Sequence, residues 1–206
     1  MNDRPVEGFV AGQGPLHPKL MLVGEAPGKT EIDTHIPFSG QAGKELMQAL
    51  SSTGLTREDV YITSAVRSRP YRVTHRINKR TQQTETVYPN RTPTRSGSIC
   101  TRTDTGLRTD GNPAKINCDT GNIGLQRLLG KEYTVTKNHG QLYTGPVLQL
   151  TKQKRCLRMV RKNYRILPLF HPAAIFYNRS LVPVIHQDWQ VLASLFTTRL
   201  KEQTRR

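Results

Sequence analysis

Hydrophobic and polar positions along the chain fall into blocks with two different periods. Residues 19–24 (KLMLVG) are a short apolar run stopped by a glycine, the pattern of a strand buried on both faces. Residues 60–66 (VYITSAV) are rich in β-branched side chains and predict a second strand. Residues 164–170 (YRILPLF) predict another buried strand, ended by His171-Pro172. Between these runs the spacing becomes helical. Leu46, Met47 and Leu50 lie on one face of residues 44–53, and Gly54 follows as a stop. Residues 122–129 (NIGLQRLL) predict a helix closed by Gly130. Leu181, Val184, Ile185, Trp189, Leu192 and Leu195 predict a final amphipathic helix over 181–199. Residues 25–43 follow neither period and predict a long structured loop. Residues 71–94 are polar and Thr/Arg/Gln-rich, as in an exposed hairpin or loop.

Strands alternating with helices predict an α/β fold in three α/β/α layers, with a central, mainly parallel four-stranded sheet. The length of 206 residues suits a single domain spanning 1–206. In such sheets ligands bind beyond the carboxyl ends of the strands. Three loops rich in chemistry follow there, after Gly24, Val66 and Phe170.

Charge changes this picture. Lys and Arg number 31 against 15 Asp and Glu, a formal net charge of +16. Such an excess draws the chain to polyanions, with nucleic acid the natural partner. A solvated basic surface or association with ribosomes is the plainer alternative. No stretch approaches the roughly 20 apolar residues of a membrane span, and the start (MNDRPVEGFV) has no apolar leader, so a cytoplasmic protein is expected. Cys100, Cys118 and Cys156 are widely spaced and form neither a disulfide framework nor a CxxC pair. No metal and no organic cofactor are expected.

The first loop opens with GEAPG (24–28), continues through Glu31 and ends in PFSGQAG (37–43). A turn built on glycine lets backbone amides approach a ligand closely, although one such turn is a weak signal. The second loop is SAVRSRP (64–70), followed later by NRTP (90–93), and the third is HPAAI (171–175). Plainer readings exist for each residue. Glu25 could brace its turn, Phe38 could be a core aromatic, His171 could be structural, and Arg67 and Arg69 could be ordinary surface charge.

In this order and context the three motifs resemble those of the uracil-DNA glycosylases of the family-4 branch, over most of residues 8–196. The resemblance implies a monomeric enzyme that hydrolyses the N-glycosidic bond of uracil in DNA and leaves an abasic site. It implies that the first loop, with Gly24, Glu25 and Ala26, holds the hydrolytic water, supported by Glu31. His171 would stabilise the departing uracil anion. Phe38 would stack on the extruded base and Ser64 would contact it. Pro172 and Ala173 would enter the duplex groove. Arg67, Arg69 and Arg91, with Asn90 in support, would hold phosphates.

Three departures qualify what the resemblance implies. Ala26 stands where the best-known branch of the superfamily has an aspartate that aligns water. Ser64 stands where a uracil-reading asparagine is expected, and a hydroxyl cannot offer the same paired donor and acceptor. Ser68 occupies one expected iron–sulfur cysteine position and no N-terminal cysteine pair exists, so no cluster is expected. A glycosylase for other deaminated bases and a catalytically silent nucleic-acid-binding relative are the alternatives.

A central strand with its preceding helix is expected near 96–121, where the sequence is instead SGSICTRTDTGLRTDGNPAKINCDTG, with almost no apolar residues. The expectation is therefore a sheet with that strand missing or degraded. Back-translated with permitted codons, KINCDTG (115–121) shifted by one base reads KLIVTLG, an apolar β-rich run, and the same shift upstream permits AHAPILDYELMEIQP. Residues 95–120 are thus expected to be out of frame, the alternative being a disordered insertion. A weaker case of the same kind covers 153–162, and together the two would make all three cysteines artefacts and the net charge overstated. Peptide mass spectrometry of the native protein is expected to lack the tryptic peptide 109–115 (TDGNPAK). Its detection as written overturns the frame-shift reading.

Overall fold

Each apolar run predicted as a strand pairs in parallel with another, which satisfies backbone groups where no water can reach them. The computed structural model describes residues 5–94, 116–150, 157–159 and 161–203. In chain order the elements begin with strands β1 (Val6–Glu7) and β2 (Leu20–Gly24) and helices α1 (Lys29–Thr34) and α2 (Gln41–Ser51). Strands β3 (Val60–Ser64), β4 (Arg69–Pro70), β5 (Thr74–Ile77), β6 (Thr84–Val87) and β7 (Ile116–Thr120) follow. Then come helices α3 (Asn122–Leu129) and α4 (Val135–Asn138) and strands β8 (Tyr143–Gly145), β9 (Leu148–Leu150), β10 (Leu157–Met159) and β11 (Tyr164–Leu169). Helix α5 (Val182–Gln203) comes last.

The main sheet has the order β3-β2-β7-β11-β8. Its first four strands are parallel, and β8 runs antiparallel along the β11 edge. The sheet therefore has five strands, not the expected four. Tyr143–Gly145 is too short to show a period, and it takes its place only by pairing with Tyr164–Ile166.

Alternation along the strands builds a core on each face. Leu20 and Leu22 of β2 pack with Leu46 and Leu50 of α2 and with Ile185, Trp189 and Leu192 of α5. Met21 and Val23 point the other way, into a cluster with Leu125 and Leu128 of α3 and with Ile166 of β11. These are the two helical layers that the spacing predicts. Helix α1 lies inside the predicted 25–43 loop and buries none of its residues, which is why no apolar period announces it. Residues 71–94 contain the antiparallel β5–β6 hairpin.

The expectation of a missing central strand is corrected. Ile116–Thr120 occupies the centre of the sheet, paired with β2 on one side and β11 on the other. Ile116 and Cys118 join the α2/α5 core. Residues 95–115, which carry most of the suspect segment, lie outside the described residues, as do 153–156 and 160 of the second one.

The strand is present, but its sequence suits the place poorly. Asn117 stands in register between Met21 and Ile166, both members of the α3-side core. It is 1% exposed. Its amide donates to the Arg165 carbonyl at 3.2 Å, while its Oδ1 is buried without a hydrogen-bond partner. A buried unpaired carbonyl costs on the order of 1–3 kcal/mol. Isoleucine, the residue that the shifted frame puts at this position, is therefore expected to stabilise the fold by about 1 kcal/mol in Asn117→Ile. Chemical denaturation of the two proteins measures it, and a midpoint that falls on substitution refutes the assignment of Asn117 as a misfit.

Candidate active site

The site is built where β2, β3 and β11 end. Pairing of β2 with β3 continues past the strand ends, since Ala65 N–H donates to the Gly24 carbonyl at 2.8 Å and Val66 N–H to the Glu25 carbonyl at 3.0 Å. The backbone that carries Glu25 is thereby fixed to the sheet. Glu31 of α1 then closes the first loop. Its two carboxylate oxygens accept from Gly28 N–H at 2.9 Å and from Gly40 N–H at 2.8 Å. One side chain thus joins both ends of the loop, and its oxygens are spent in doing so.

Phe38 is held in a costly conformation. Its φ is +58°, and a non-glycine residue there costs about 1–3 kcal/mol. Arg57 donates to the preceding Pro37 carbonyl at 3.1 Å. Gly24 makes the ring's position possible, because a Cβ on it would lie 2.4 Å from Phe38 Cζ. The ring therefore packs onto the bare end of β2 and stacks beside His171, with centroids 5.5 Å apart and planes 12° from parallel.

His171 caps the 3-10 helix Pro172–Phe176, and its Nδ1 accepts from Ala173 N–H at 3.0 Å. Burial pushes its pKa down to about 4. The ring is neutral at physiological pH, and with Nδ1 accepting, Nε2 carries the hydrogen. The residue just before it is anchored from α5, where Asp188, 2% exposed, accepts from Phe170 N–H at 3.3 Å. The other Asp188 oxygen is 2.8 Å from His139 Nδ1. Sequence reasoning missed Asp188 and His139, because neither stands in a motif and Asp188 hides on the apolar face of a helix.

A cavity of about 390 Å3 opens between these loops, lined by Glu25, Ala26, Phe38, Ser64, Asn90 and His171 among others. Ser64 is 7% exposed. Burial pushes the Glu25 carboxyl above its ordinary range. A shallower hollow of about 240 Å3 shares Glu25 and Asn90 and is completed by Pro70, Arg91 and Thr92. Glu25, Phe38, Ser64 and His171, predicted from three separate motifs, thus share one concave site.

The predicted phosphate contacts need correction. Arg69 is 4% exposed. Its guanidinium donates to Asn90 Oδ1, Glu7 Oε1 and the Tyr88 carbonyl, and it lies 5.6 Å from the Tyr71 ring centroid. Arg91 donates to the carbonyls of Tyr71, Thr92 and Pro5. Arg69 is an internal strut tied to Asn90, whereas Arg91 is half-buried and lines the second hollow. Arg67 is half-buried. Ala173 is turned inward, 8% exposed, and spends its N–H on His171, so it does not project toward a groove. Phe176 and Tyr177 at the end of that turn face solvent, 47% and 92% exposed.

The chain's three cysteines are fewer than the four thiolates that an iron–sulfur cluster ordinarily takes. Among the described residues no group of three or more His, Cys, Asp or Glu could hold a metal ion, and Cys118 is buried in the sheet. No described helix is long and apolar enough to cross a membrane.

Comparison with known proteins matches residues 11–194 to the family model of the uracil DNA glycosylase superfamily. A type-4 uracil-DNA glycosylase of Archaeoglobus fulgidus is 29% identical over 191 residues, covering 91% of this chain and 81% of the relative. One of Thermotoga maritima is 31% identical over 173 residues, covering 83% and 73%. One of Sulfurisphaera tokodaii is 27% identical over 194 residues, covering 92% and 75%.

The lowered His171 pKa has a thermodynamic signature. Below pH 6.5 the unfolded chain protonates this histidine while the folded chain resists until about pH 4. The unfolded state then binds more protons, so stability falls as pH drops through that window. Replacing His171 by Gln, which does not titrate, is expected to flatten the stability–pH curve between these values. An unchanged slope would show that the ring is not held neutral.

Proposed function

The chain belongs to the uracil DNA glycosylase superfamily, whose model spans residues 11–194, and from that premise we infer that it hydrolyses the N-glycosidic bond of deoxyuridine in DNA. The observation that carries the reading is a neutral, half-buried His171 stacked beside Phe38 on a cavity that also holds Glu25.

The reaction breaks the bond between the sugar carbon and the base nitrogen and passes the electron pair to the base. The leaving uracil is then an anion whose charge spreads onto its O2. A neutral imidazole with its hydrogen on Nε2 donates to that oxygen at no cost of burying a cation, an oxyanion-hole task worth roughly 3 kcal/mol per donor. Water adds to the sugar carbon and gives up a proton. Glu25 is the carboxylate that lines the cavity with an affinity for protons raised by burial, which suits it as the acceptor. Glu31 acts one step removed, because both its oxygens are bonded to loop amides. Phe38 offers the flat apolar face on which an extruded base stacks.

On this reading no metal takes part, and Glu25 and His171 supply the proton acceptor and the anion-stabilising donor. A monomer is part of this proposal, since the motif residues Glu25, Phe38, Ser64 and His171 already meet within one copy. DNA as the target fits the charge of +16 and a cytoplasmic setting. Ser64 favours a second reading of the specificity, since one hydroxyl imposes less on the base edge than an amide would. Hypoxanthine and xanthine then become candidates beside uracil.

A strand-scission assay on duplexes with a single uracil, hypoxanthine or xanthine decides among these. The wild type is expected to convert the uracil duplex to an alkali-labile abasic product, and His171→Ala to lower the rate by about 10²–10³-fold. Binding to all three duplexes without cleavage of any would reject the activity and leave a silent DNA-binding relative.

A further inference from the structure

Arg69, one of the arginines that the motifs nominate for phosphate contacts, is consumed as a strut, yet the chain carries a large excess of cations. The described structure places a group of them on the β5–β6 hairpin. Arg72, Arg76, Lys79 and Arg80 are all exposed, and the hairpin's only acid, Glu85, is half-buried. Glu85 accepts from Asn78 Nδ2 and stands 4.0 Å from Arg76, whose side chain stays 70% exposed. None of the described hydrogen bonds or ion pairs engages the side chains of Arg72, Lys79 or Arg80.

Register divides the cations from the rest. Thr74 faces Val87 and Arg76 faces Glu85 across the ladder, so alternation puts Arg72 and Arg76 on one face. Val73, His75 and Ile77 take the other. Lys79 and Arg80 sit in the connection, where Asn78 Oδ1 accepts from Arg80 N–H at 2.9 Å and shapes the turn.

The hairpin is rooted in the rim of the base cavity. Its first strand leaves from Tyr71, bridged to Asn90, and Arg72 N–H donates to the Pro89 carbonyl at 3.0 Å. Arg69 and Arg91 brace that root, and Asn90 lines the cavity itself. A cationic arm is thereby fixed in direction relative to the base pocket. Eight residue steps from Tyr71 to Lys79, at about 3.3 Å each, give a reach of about 26 Å, the axial rise of roughly eight base pairs.

We propose that the β5–β6 hairpin is a DNA-backbone clamp: Arg72, Arg76, Lys79 and Arg80 contact phosphates flanking the nucleotide whose base enters the cavity. The assignment rests on the glycosylase reading for the identity of the substrate. Phosphate contacts carry affinity and register without reading sequence, which matches a cationic ribbon with no built pocket of its own.

The test uses the full chain with two variants, Arg76→Gln/Lys79→Gln/Arg80→Gln and the milder Lys79→Gln/Arg80→Gln, which leaves every ladder pair intact. On a long uracil duplex at low salt the triple variant is expected to raise KM at least about tenfold with kcat unchanged. On a duplex trimmed to a few base pairs around the uracil it is expected to match the wild type. Binding to an undamaged duplex is expected to lose about 0.9 in log–log salt slope for each phosphate contact removed. An unchanged KM and salt slope in both variants overturns the clamp and leaves the exposed Val73 and Ile77 face to a partner other than DNA. A wild type that cleaves no uracil duplex, while the variants still lose salt slope, sinks the glycosylase reading and leaves the clamp standing.

Discussion

A strand buried on both faces can satisfy its backbone only by pairing on each side, and β2 is the strand on which the site depends. It is locked between β3 and β7 in parallel registers, so its end at Gly24 cannot shift without breaking two ladders at once. Parallel pairing also sends the ends of β2, β3 and β11 out of the same edge of the sheet, which brings Glu25, Ser64 and His171 together although they are far apart in sequence. Catalytic groups on loops gain precision only from the rigid elements that position them. Here the precision comes from main-chain ladders and is extended outward by Glu31, which ties two glycine amides, and by Asp188, which holds the residue before His171.

Legibility in the sequence followed from how each element pays the cost of ordering its chain. Parallel strands β2, β3 and β11 bury both faces and so appear as unbroken apolar runs, and α2, α3 and α5 bury one face and show helical spacing. Helix α1 buries nothing and is held by a carboxylate and two amides, which leaves no trace in hydrophobicity. Strand β8 is too short for a period and exists by pairing alone. Strand β7 was misjudged for the opposite reason. Its slot is imposed by the neighbouring strands, so Asn117 sits in the core against the preference of its side chain. The motifs located Glu25, Phe38, Ser64 and His171. They could not reveal that Arg69 is buried, because an arginine satisfied by a carboxylate, an amide and a carbonyl looks in sequence like any other positive charge.

The same exclusion of water acts on two groups with opposite sign. Burial disfavours whichever form is charged, so it lowers the affinity of His171 for a proton and raises that of Glu25. The pair is thereby set for a reaction that needs a neutral donor at one end and a proton acceptor at the other. A protonated histidine would bind the leaving anion more strongly, but holding a cation in that position would cost more than the hydrogen bond returns. The bond from Ala173 N–H removes the ambiguity of tautomer, since an accepting Nδ1 forces the hydrogen onto Nε2.

The arginines divide into two populations by the same electrostatic logic. A guanidinium buried at the strand end must have all its donors met by fixed acceptors, and once they are met it has none left for a phosphate. Arg69 therefore serves the site by holding Asn90 in place, and Arg91, half-buried, ties the root of the hairpin. Cations meant for a polyanion must stay hydrated until it arrives, and on this chain the exposed Arg72, Arg76, Lys79 and Arg80 stand on a ribbon whose root Arg69 and Arg91 brace. A buried arginine strut beneath an exposed cationic arm couples the stiffness of the pocket to the grip on its substrate. It also explains how the molecule could keep a precise base site beside a charge excess that would otherwise repel itself.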